Sequence, residues 1–308
     1  MNEQFRIDAF PPAEMARRME RVGVDKAGLG VWTMFALAIL AGAFIASGAV
    51  FSTVTVTGLS AVGMGYGVIR LLGGFTFCLG LIAVVTAGAE LFTGNNLIIM
   101  AFVSGKVTLS ALSRNWAIVY VGNFVGSILT ALTMLLTQQY MAADRGVGLA
   151  ALNIANSKCS LDFVQAVALG VMCNALVCLA VWLSFSARST TDRILAILFP
   201  ITAFVAAGFE HSVANMYFVP MGLLIKSAAG SSFWTGLDVT ATSFGNLTWG
   251  TFLIKNLLPV TIGNIIGGAG FVGLVYWFIY LRPEKRRGFD TTPEIAIGEA
   301  ESTLVSSD

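Results

Sequence analysis

The chain has 308 residues, of which 56% are hydrophobic and only 11% are charged, with a mean hydropathy of +0.80. A soluble core of this size cannot enclose so much apolar surface, so the composition predicts an integral membrane protein and excludes a soluble domain. The net charge is +1 and the basic residues are dispersed along the loops, which argues against a nucleic-acid partner.

The first predicted element is an amphipathic helix within residues 1–28. The first thirty residues carry ten charges and have no apolar run of their own, which argues against a cleavable signal peptide. Pro11 and Pro12 suit the opening turn of a helix. Apolar residues at helical spacing would then share one face: Met15, Ala16, Met19 and Val22. We expect this segment to lie on the cytoplasmic membrane surface.

Residues 29–281 are predicted to form a channel domain of six transmembrane helices. Residues 29–51, 116–136, 163–185 and 257–281 are single spans of ordinary length. The runs 68–103 and 194–225 are longer, and the first of them as one straight helix would reach about 54 Å across a hydrocarbon layer of ~30 Å. We therefore expect the second and fifth helices to be broken by an unwound turn. Residues 282–308 are predicted to be a disordered cytoplasmic tail.

Two polar motifs recur within this apolar sequence. Gly88, Glu90 and Asn95 of GAELFTGN are repeated 120 residues later in GFEHSVAN. A second set recurs 141 residues later, and it pairs Arg114, Asn115, Gly122, Asn123 and Gly126 with Lys255, Asn256, Gly263, Asn264 and Gly267. Because each copy holds three spans, an odd number, the copies must insert upside down. The fold class is therefore an all-α membrane protein with a 3+3 inverted repeat over about residues 29–137 and 160–281.

The distribution of basic residues predicts the orientation in the membrane. Alternate segments between the spans hold 13 and 5 of the 18 Lys and Arg residues, and both termini belong to the richer set. By the positive-inside rule both termini are cytoplasmic.

Candidate pore residues lie at the two predicted breaks. An ionised Glu90 or Glu210 in an apolar run costs at least ~2.5 to 3.5 kcal/mol unless water, a partner or protonation relieves it, so both must face the protein interior. The alternative is a purely structural role, in which each carboxylate accepts hydrogen bonds from the exposed amides of its own turn. His211 is the only histidine and adjoins Glu210; its side chain ordinarily titrates near pH 6.5. A lone histidine is commonly a satisfied core residue, but its position at a break favours a pore role.

The broken helices favour an anion. Half-helices that begin near Thr93 and Ser212 would direct the positive ends of their dipoles at the membrane centre. Alternatively, both hydroxyls could have no role beyond capping the N-termini of these half-helices. Lys158, just before the fourth span, could concentrate anions at an entrance or be an ordinary flanking lysine. Six apolar residues could form constrictions that dehydrate a solute, or could be plain core: Phe77, Leu81, Leu91, Phe92, Val177 and Phe204.

At these residues the chain resembles the formate/nitrite transporter family, and its bacterial formate channels in particular. The similarity extends over about residues 11–281, through GAELFTGN, RNWAIVYVGNFVGS, ALGVMCNALVCLAVW, FSARSTTDR, AAGFEHSVANM and PVTIGNIIGG. The resemblance implies an aquaporin-like protomer of six spans and a homopentamer with one pore per subunit. It also implies passage of formate and related small monovalent anions across a bacterial inner (cytoplasmic) membrane.

The same resemblance suggests roles for individual residues. His211 corresponds to the central pore histidine, with Thr93 as its hydrogen-bond partner and Glu210 tuning it from behind. The remaining polar positions are Asn174 and Asn264 in the pore and Lys158 in a vestibule. The six apolar residues named above match the family's constrictions, and the N-terminal segment matches the part that closes the pore from the cytoplasm.

Two departures leave the substrate open. SKCSLDF lacks the histidines that follow the vestibule lysine in many formate channels, and FTGN resembles the FTG of nitrite channels more than the FTS of formate channels. The alternatives are a nitrite or hydrosulfide channel, with acetate as another candidate anion, a neutral small-solute channel, or a purely structural membrane protein. An enzyme is disfavoured because the sequence has one histidine, no metal-ligand cluster and no nucleotide-binding loop. We therefore expect a passive or proton-linked anion pathway without a cofactor or metal.

Overall fold

The computed structural model describes residues 8–282, and its regular elements there are helical. Residues 1–7 and 283–308, which include nearly all of the predicted tail, lie outside the described residues. The helices are α1 Pro12–Gly28, α2 Val31–Val56, α3 Tyr66–Ala87, α4 Phe92–Val103, α5 Leu109–Leu136, α6 Gly146–Lys158, α7 Phe163–Ser184, α8 Thr190–Ala207, α9 Ser212–Ala228 and α10, residues 249–281. Six of these are long and apolar enough to cross a membrane: α2, α3, α5, α7, α8 and α10. The prediction of an all-α protein with six spans is confirmed.

Local sequence signals explain where several spans begin and end. Thr108 caps α5 by accepting a hydrogen bond from the Ala111 N–H, so this span begins seven residues before its predicted start. Ser189 and Asp192 form a reciprocal capping box at the start of α8. α3 and α8 each end at a glycine in the left-handed region, Gly88 at φ 76° and Gly208 at φ 79°. A glycine adopts this conformation without the steric cost that a Cβ would add.

The chain is not helical over residues 88–91 and 208–211. Helices α4 and α9 begin directly after these two turns, at Phe92 and Ser212. The expectation that Thr93 and Ser212 act as N-caps is wrong, because Leu91 and His211 occupy those positions. Nδ1 of His211 accepts the Ala214 N–H at 3.0 Å, so the imidazole performs the capping role itself.

Helix α1 packs on the protein instead of lying free on a membrane surface. Three residues of the predicted apolar face are buried: Met15, Ala16 and Met19. They pack against α4 and against the ends of α7 and α10 that are predicted to face the cytoplasm. Lys106 donates to the carboxylate of Glu20, which fixes the helix to the loop before α5. The apolar face is therefore covered by the chain itself.

Helix α6 is not predicted from the sequence. It has 13 residues, too few for a span, and the apolar residues in its sequence are not confined to one face of the helix. It packs against the segment that precedes α10. This segment contains two short helical turns, Ser231–Trp234 and Ala241–Phe244. Phe233 anchors it, since its ring is buried against Gly148 of α6 and lies 5.4 Å from the ring of Tyr140.

Glycines allow the central helices to approach closely. A Cβ on Gly126 of α5 would lie 2.0 Å from the carbonyl oxygen of Ile39 in α2. A Cβ on Gly267 of α10 would lie 2.1 Å from the carbonyl oxygen of Val171 in α7. Both helix pairs therefore need a residue without a side chain at the crossing.

We expect Gly267→Ala to destabilise the protein. The added methyl group meets backbone atoms, and overpacking of this kind costs about 1 to 3 kcal/mol, which outweighs the gain of about 1 kcal/mol that alanine has over glycine in a helix. Thermal unfolding in detergent measures the effect. Gly270→Ala is the control, because a Cβ there has nothing within 4 Å in the same helix region. Equal melting temperatures for the two variants would contradict the packing argument.

Candidate functional site

Two cavities lie at opposite ends of α3. The first has a volume of about 590 Å³, and its wall includes Lys26 of α1, the end of α3 and the turn after it. The second has a volume of about 320 Å³, and its wall includes Lys158 at the end of α6, the start of α3 and the turn after α8. We call them the Lys26 cavity and the Lys158 cavity.

Thr93 and His211 lie between the two cavities and contact each other. The Thr93 Oγ1 and His211 Nε2 atoms are 2.9 Å apart, and both side chains are buried. His211 lines the Lys158 cavity, whereas Leu91 lines the Lys26 cavity and Thr93 lines neither. The hydrogen bond expected between these two side chains is present.

The hydrogen bonds of His211 define its tautomer. Nδ1 accepts the Ala214 N–H, so it carries no hydrogen, and the neutral ring must carry its proton on Nε2. Nε2–H therefore donates to the oxygen of Thr93. The hydroxyl hydrogen of Thr93 then remains available to donate to a third group. This arrangement presents a neutral imidazole and a hydroxyl donor at the centre of the protein.

The side chain of Glu210 is buried, and its hydrogen-bond partners do not include the imidazole of His211. Its Oε1 accepts from Lys158 Nζ at 2.7 Å. Its Oε2 accepts from Asn215 Nδ2 at 2.7 Å and from Asn256 Nδ2 at 3.2 Å. A buried carboxylate needs such partners, because an unpaired charge in the interior is strongly destabilising. Lys158, predicted as a vestibule cation, thus also neutralises this carboxylate.

The same arrangement is present at the other turn, around Glu90. Lys26 Nζ donates to Glu90 Oε1 at 2.6 Å, and Asn95 Nδ2 donates to Glu90 Oε2 at 2.7 Å. Asn95 also donates to Asn115 Oδ1 at 2.9 Å. Lys26 is a candidate site residue that the sequence reasoning missed. A signal existed, since Lys26 and Lys158 each stand five residues before a span, α2 and α7 respectively.

Asn264, predicted to line the pore, bonds to the backbone of neighbouring helices in this structure. Its Oδ1 accepts the Ser212 N–H at 2.9 Å, and its Nδ2 donates to the carbonyls of Gly170 and Glu210 at 2.9 and 3.0 Å. The side chain is fully buried and lines neither cavity. Its amide is used to hold the backbone of the turn before α9. Asn123 makes the equivalent bonds to Phe92, Ala38 and Glu90 at the other turn.

Asn174 is also structural and does not line either cavity. Its Nδ2 donates to the carbonyls of Thr93 and Asn264 at 3.2 and 2.7 Å and to Asn96 Oδ1 at 2.8 Å. It therefore joins α4, α7 and α10 around the backbone of Thr93. Its amide satisfies backbone groups that would otherwise be buried without partners, and its predicted place in the pore stays a prediction.

The predicted constriction residues fall into three groups. Leu81 and Leu91 line the Lys26 cavity, and Phe77 and Phe204 line the Lys158 cavity. Phe92 and Val177 line neither. The ring of Phe92 packs against those of Tyr120 and Trp116, with centroids 4.9 and 6.2 Å away, which explains its absence from the cavity walls. Val177 is buried in the central core.

We expect Asn264→Ala to lower the stability of the protein strongly. The change leaves one buried N–H and two buried carbonyls without this partner, and each unsatisfied group costs about 1 to 3 kcal/mol. Thermal unfolding in detergent measures the loss. Asn153→Ala is the control, because Asn153 is exposed on α6. An Asn264→Ala variant as stable as the control would show that Asn264 does not hold the turn.

Comparisons with known proteins agree with this architecture. A family model described as formate/nitrite transporter matches residues 13–278. The chain is 46% identical to the formate channel FocA of Escherichia coli (strain K12) over 276 residues, which are 90% of this chain and 96% of that protein. It is 40% identical to the formate channel FocA of Haemophilus influenzae over 273 residues, which are 89% and 95% of the two chains.

A solved structure is similar over most of the fold. It is a pentameric formate channel with formate bound, and it matches with a TM-score of 0.78 and 48% sequence identity over 82% of this chain and 98% of that chain. The matching proteins are transport proteins, so this chain is a membrane channel and not an enzyme. It belongs to the formate/nitrite transporter family.

Proposed function

We propose that this chain is a channel for formate and related small monovalent anions, with one pore in each subunit of a homopentamer. The single observation that carries the proposal is the buried Thr93–His211 hydrogen bond between two cavities that each contain a lysine. The FocA relatives are formate channels, and the similar solved structure is a pentameric formate channel with formate bound.

The charges of both cavities favour an anion. The Lys158 cavity is lined by Arg70 and Lys158 against one carboxylate, Glu210. The charged side chains in the wall of the Lys26 cavity are the cations Arg18, Arg21, Lys26 and Arg193 and the carboxylates Asp25 and Glu90. Both walls are therefore net positive among the described residues, which raises the local concentration of anions.

An anion that moves from one cavity to the other must lose water. Phe77 and Phe204 line the inner part of one cavity, and Leu81 and Leu91 line the other. A desolvated carboxylate is strongly unfavourable unless it receives hydrogen bonds. The Thr93 hydroxyl oxygen already accepts a hydrogen bond from His211 Nε2–H. Its own hydrogen is therefore placed to donate a hydrogen bond to the anion.

We extend the proposal to a proton-linked mode through His211. An incoming proton would bind Nδ1, and the bond from the Ala214 N–H would then be lost. Protonation is thus coupled to release of the first turn of α9. An imidazolium between the cavities would stabilise an anion there, or would share its proton with formate so that formic acid crosses the apolar part of the path.

We also propose the aquaporin-like 3+3 inverted repeat with two broken helices. The duplicated lysine, glutamate and asparagine contacts support it. Further support comes from pairs of equivalent residues that touch: Tyr120 Oη is 2.9 Å from Thr261 Oγ1, 141 residues apart, and Cys78 Sγ donates to the Leu198 carbonyl, 120 residues apart. Equivalent residues meet in this way only near a two-fold axis that relates the two copies.

The proposed location is a bacterial inner membrane with both termini cytoplasmic. The bacterial relatives and the distribution of basic residues support it. The N-terminal segment, residues 1–28, and the Lys26 cavity would then face the cytoplasm, and the tail 282–308 would lie on the same side.

Formate flux into proteoliposomes tests the proton-linked mode. Measured at roughly pH 5 and roughly pH 8, which bracket the ordinary titration of histidine, wild-type uptake is expected to rise at the lower pH. We expect His211→Phe to retain anion flux but to lose the rise, with a ratio of about one, because the proton-accepting nitrogen is gone. If the ratio of uptake at low pH to uptake at high pH in this variant equals that of the wild type, the histidine is not part of the mechanism. Phe209→Leu, a change within the same turn that leaves the imidazole in place, is the control.

Nitrite or hydrosulfide is the second candidate substrate, and the observation that favours it is Gly94. This residue lines the Lys26 cavity next to Thr93, and a Cβ there would meet only Val181 Cγ2 at 3.7 Å. We expect Gly94→Ser to be tolerated and to raise the ratio of formate to nitrite flux about fivefold, since one added hydrogen bond is worth ~1 kcal/mol. Gly94→Ala separates the hydroxyl from the added volume. If both variants give the wild-type ratio, Gly94 does not influence the choice of anion.

The remaining candidate substrates are a larger anion and a neutral solute. Acetate flux and glycerol flux, measured on the same preparation, compare these two with formate.

A further inference from the structure

Arg70 is a charged residue of the Lys158 cavity to which the proposed pathway assigns no separate role. It lies near the start of α3 and lines the cavity together with Gly73 and Phe77. Positions 70, 73 and 77 follow helical spacing, so all three residues lie on one face of α3. At a rise of about 1.5 Å per residue, Arg70 lies about 10 Å further out along the helix than Phe77. A solute that enters by this cavity therefore passes Arg70 before it reaches the apolar residues.

The guanidinium of Arg70 is held by the backbone at the end of α8. Its Nε donates to the Ala206 carbonyl at 3.0 Å, and its Nη2 donates to the Val205 carbonyl. Nη2 also lies 3.3 Å from the position of a Cβ on Gly208, the glycine that ends α8. The side chain is thus fixed in place by neutral groups, and among the described contacts no carboxylate pairs with it.

This pairing distinguishes Arg70 from the other cation of the cavity. Lys158 Nζ is 2.7 Å from Glu210 Oε1, so the two charges largely cancel. Arg70 therefore supplies the net positive charge of the wall formed by the described residues. The carboxyl end of α8 offsets part of this charge, because the end of a helix carries a partial negative charge. An attraction of this moderate strength suits conduction, since a solute must also leave.

We propose that Arg70 recruits the anion to the Lys158 cavity and holds it before it loses water at Phe77 and Phe204. The ligand is a small monovalent carboxylate or a similar anion, and the inference rests on the proposed anion channel. Arg70 is thereby a binding residue of the outer part of the path, separate from the Thr93–His211 pair at its centre.

Formate flux into proteoliposomes at low formate concentration tests the role of the charge. At an ionic strength of about 0.01 M, where charges act over about 30 Å, we expect Arg70→Gln to lower the flux about fivefold. At about 1 M potassium gluconate the difference should disappear, because screening then acts within about 3 Å. Arg70→Lys keeps the charge and should retain at least half of the wild-type flux at low ionic strength.

Arg145→Gln is the matched control. Arg145 Nε also donates to a backbone carbonyl, that of Ser232, but the residue lines neither cavity. We expect wild-type flux from this variant at both ionic strengths. Three results would overturn the proposal: wild-type flux for Arg70→Gln at low ionic strength, a deficit that persists at high ionic strength, or an Arg70→Lys variant as impaired as Arg70→Gln. The last two results would assign Arg70 a purely structural role at the end of α8.

A second pair of variants leaves Arg70 in place in case Arg70→Gln does not fold. Ser52 of α2 lines the same cavity, and its Oγ lies 3.3 Å from the position of a Cβ on Gly73, one turn along α3 from Arg70. We expect Ser52→Asp to neutralise Arg70 and to lower flux about fivefold at low ionic strength, while Ser52→Asn does not. Equal fluxes for these two variants would contradict the proposal. Absence of formate flux in the wild type would instead contradict the proposed function itself.

Discussion

The structure depends on how two buried carboxylates are neutralised. Glu90 and Glu210 each follow a helix that ends within the apolar region, at a point where several backbone amides and carbonyls have no helical partner. Each carboxylate is paired with a lysine at 2.6 or 2.7 Å and with an asparagine amide at 2.7 Å. Removing one partner of such a buried ion pair costs about 3 to 5 kcal/mol. These contacts therefore fix both turns and the helices that begin after them.

The polar residues that the two copies of the motif share differ in role from those that they do not share. The shared glutamates and asparagines, each joined by a lysine that lies before the motif, hold the two turns through equivalent contacts. The position equivalent to His211 is Leu91, and the position equivalent to Thr93 is Val213. The hydrogen-bonded pair at the centre of the protein is thus formed from one differing residue of each copy. A duplicated scaffold can support an asymmetric centre in this way, because the glutamate and asparagine contacts that hold each turn do not involve the side chain at this position.

The residues at the cavity ends add a gradient of polarity to this scaffold. Charged side chains lie near the start of α3 and on α1, aromatic and aliphatic side chains lie further in, and one hydroxyl and one imidazole lie between them. In the proposed function a solute would lose water progressively along this order, and the hydrogen-bond donors at the centre would then act where they are strongest. Asn174 and Asn264 lie outside the walls of both cavities for a different reason. Their amides are needed by backbone groups that would otherwise be buried without partners.

The sequence by itself determined the membrane class and the six spans, and it predicted the two interrupted runs and central roles for Glu90, Glu210, Thr93 and His211. These follow from apolar length, charge and motif spacing, which are properties of the chain taken in order. Only the tertiary structure decided that Lys26 pairs with Glu90, that α6 exists, that Phe92 packs on Trp116, and that Asn174 and Asn264 hold backbone instead of facing a cavity. The physical reason is that a polar side chain in an apolar segment can satisfy either a solute or the backbone of a distant helix. The choice depends on which groups the packed helices leave without partners.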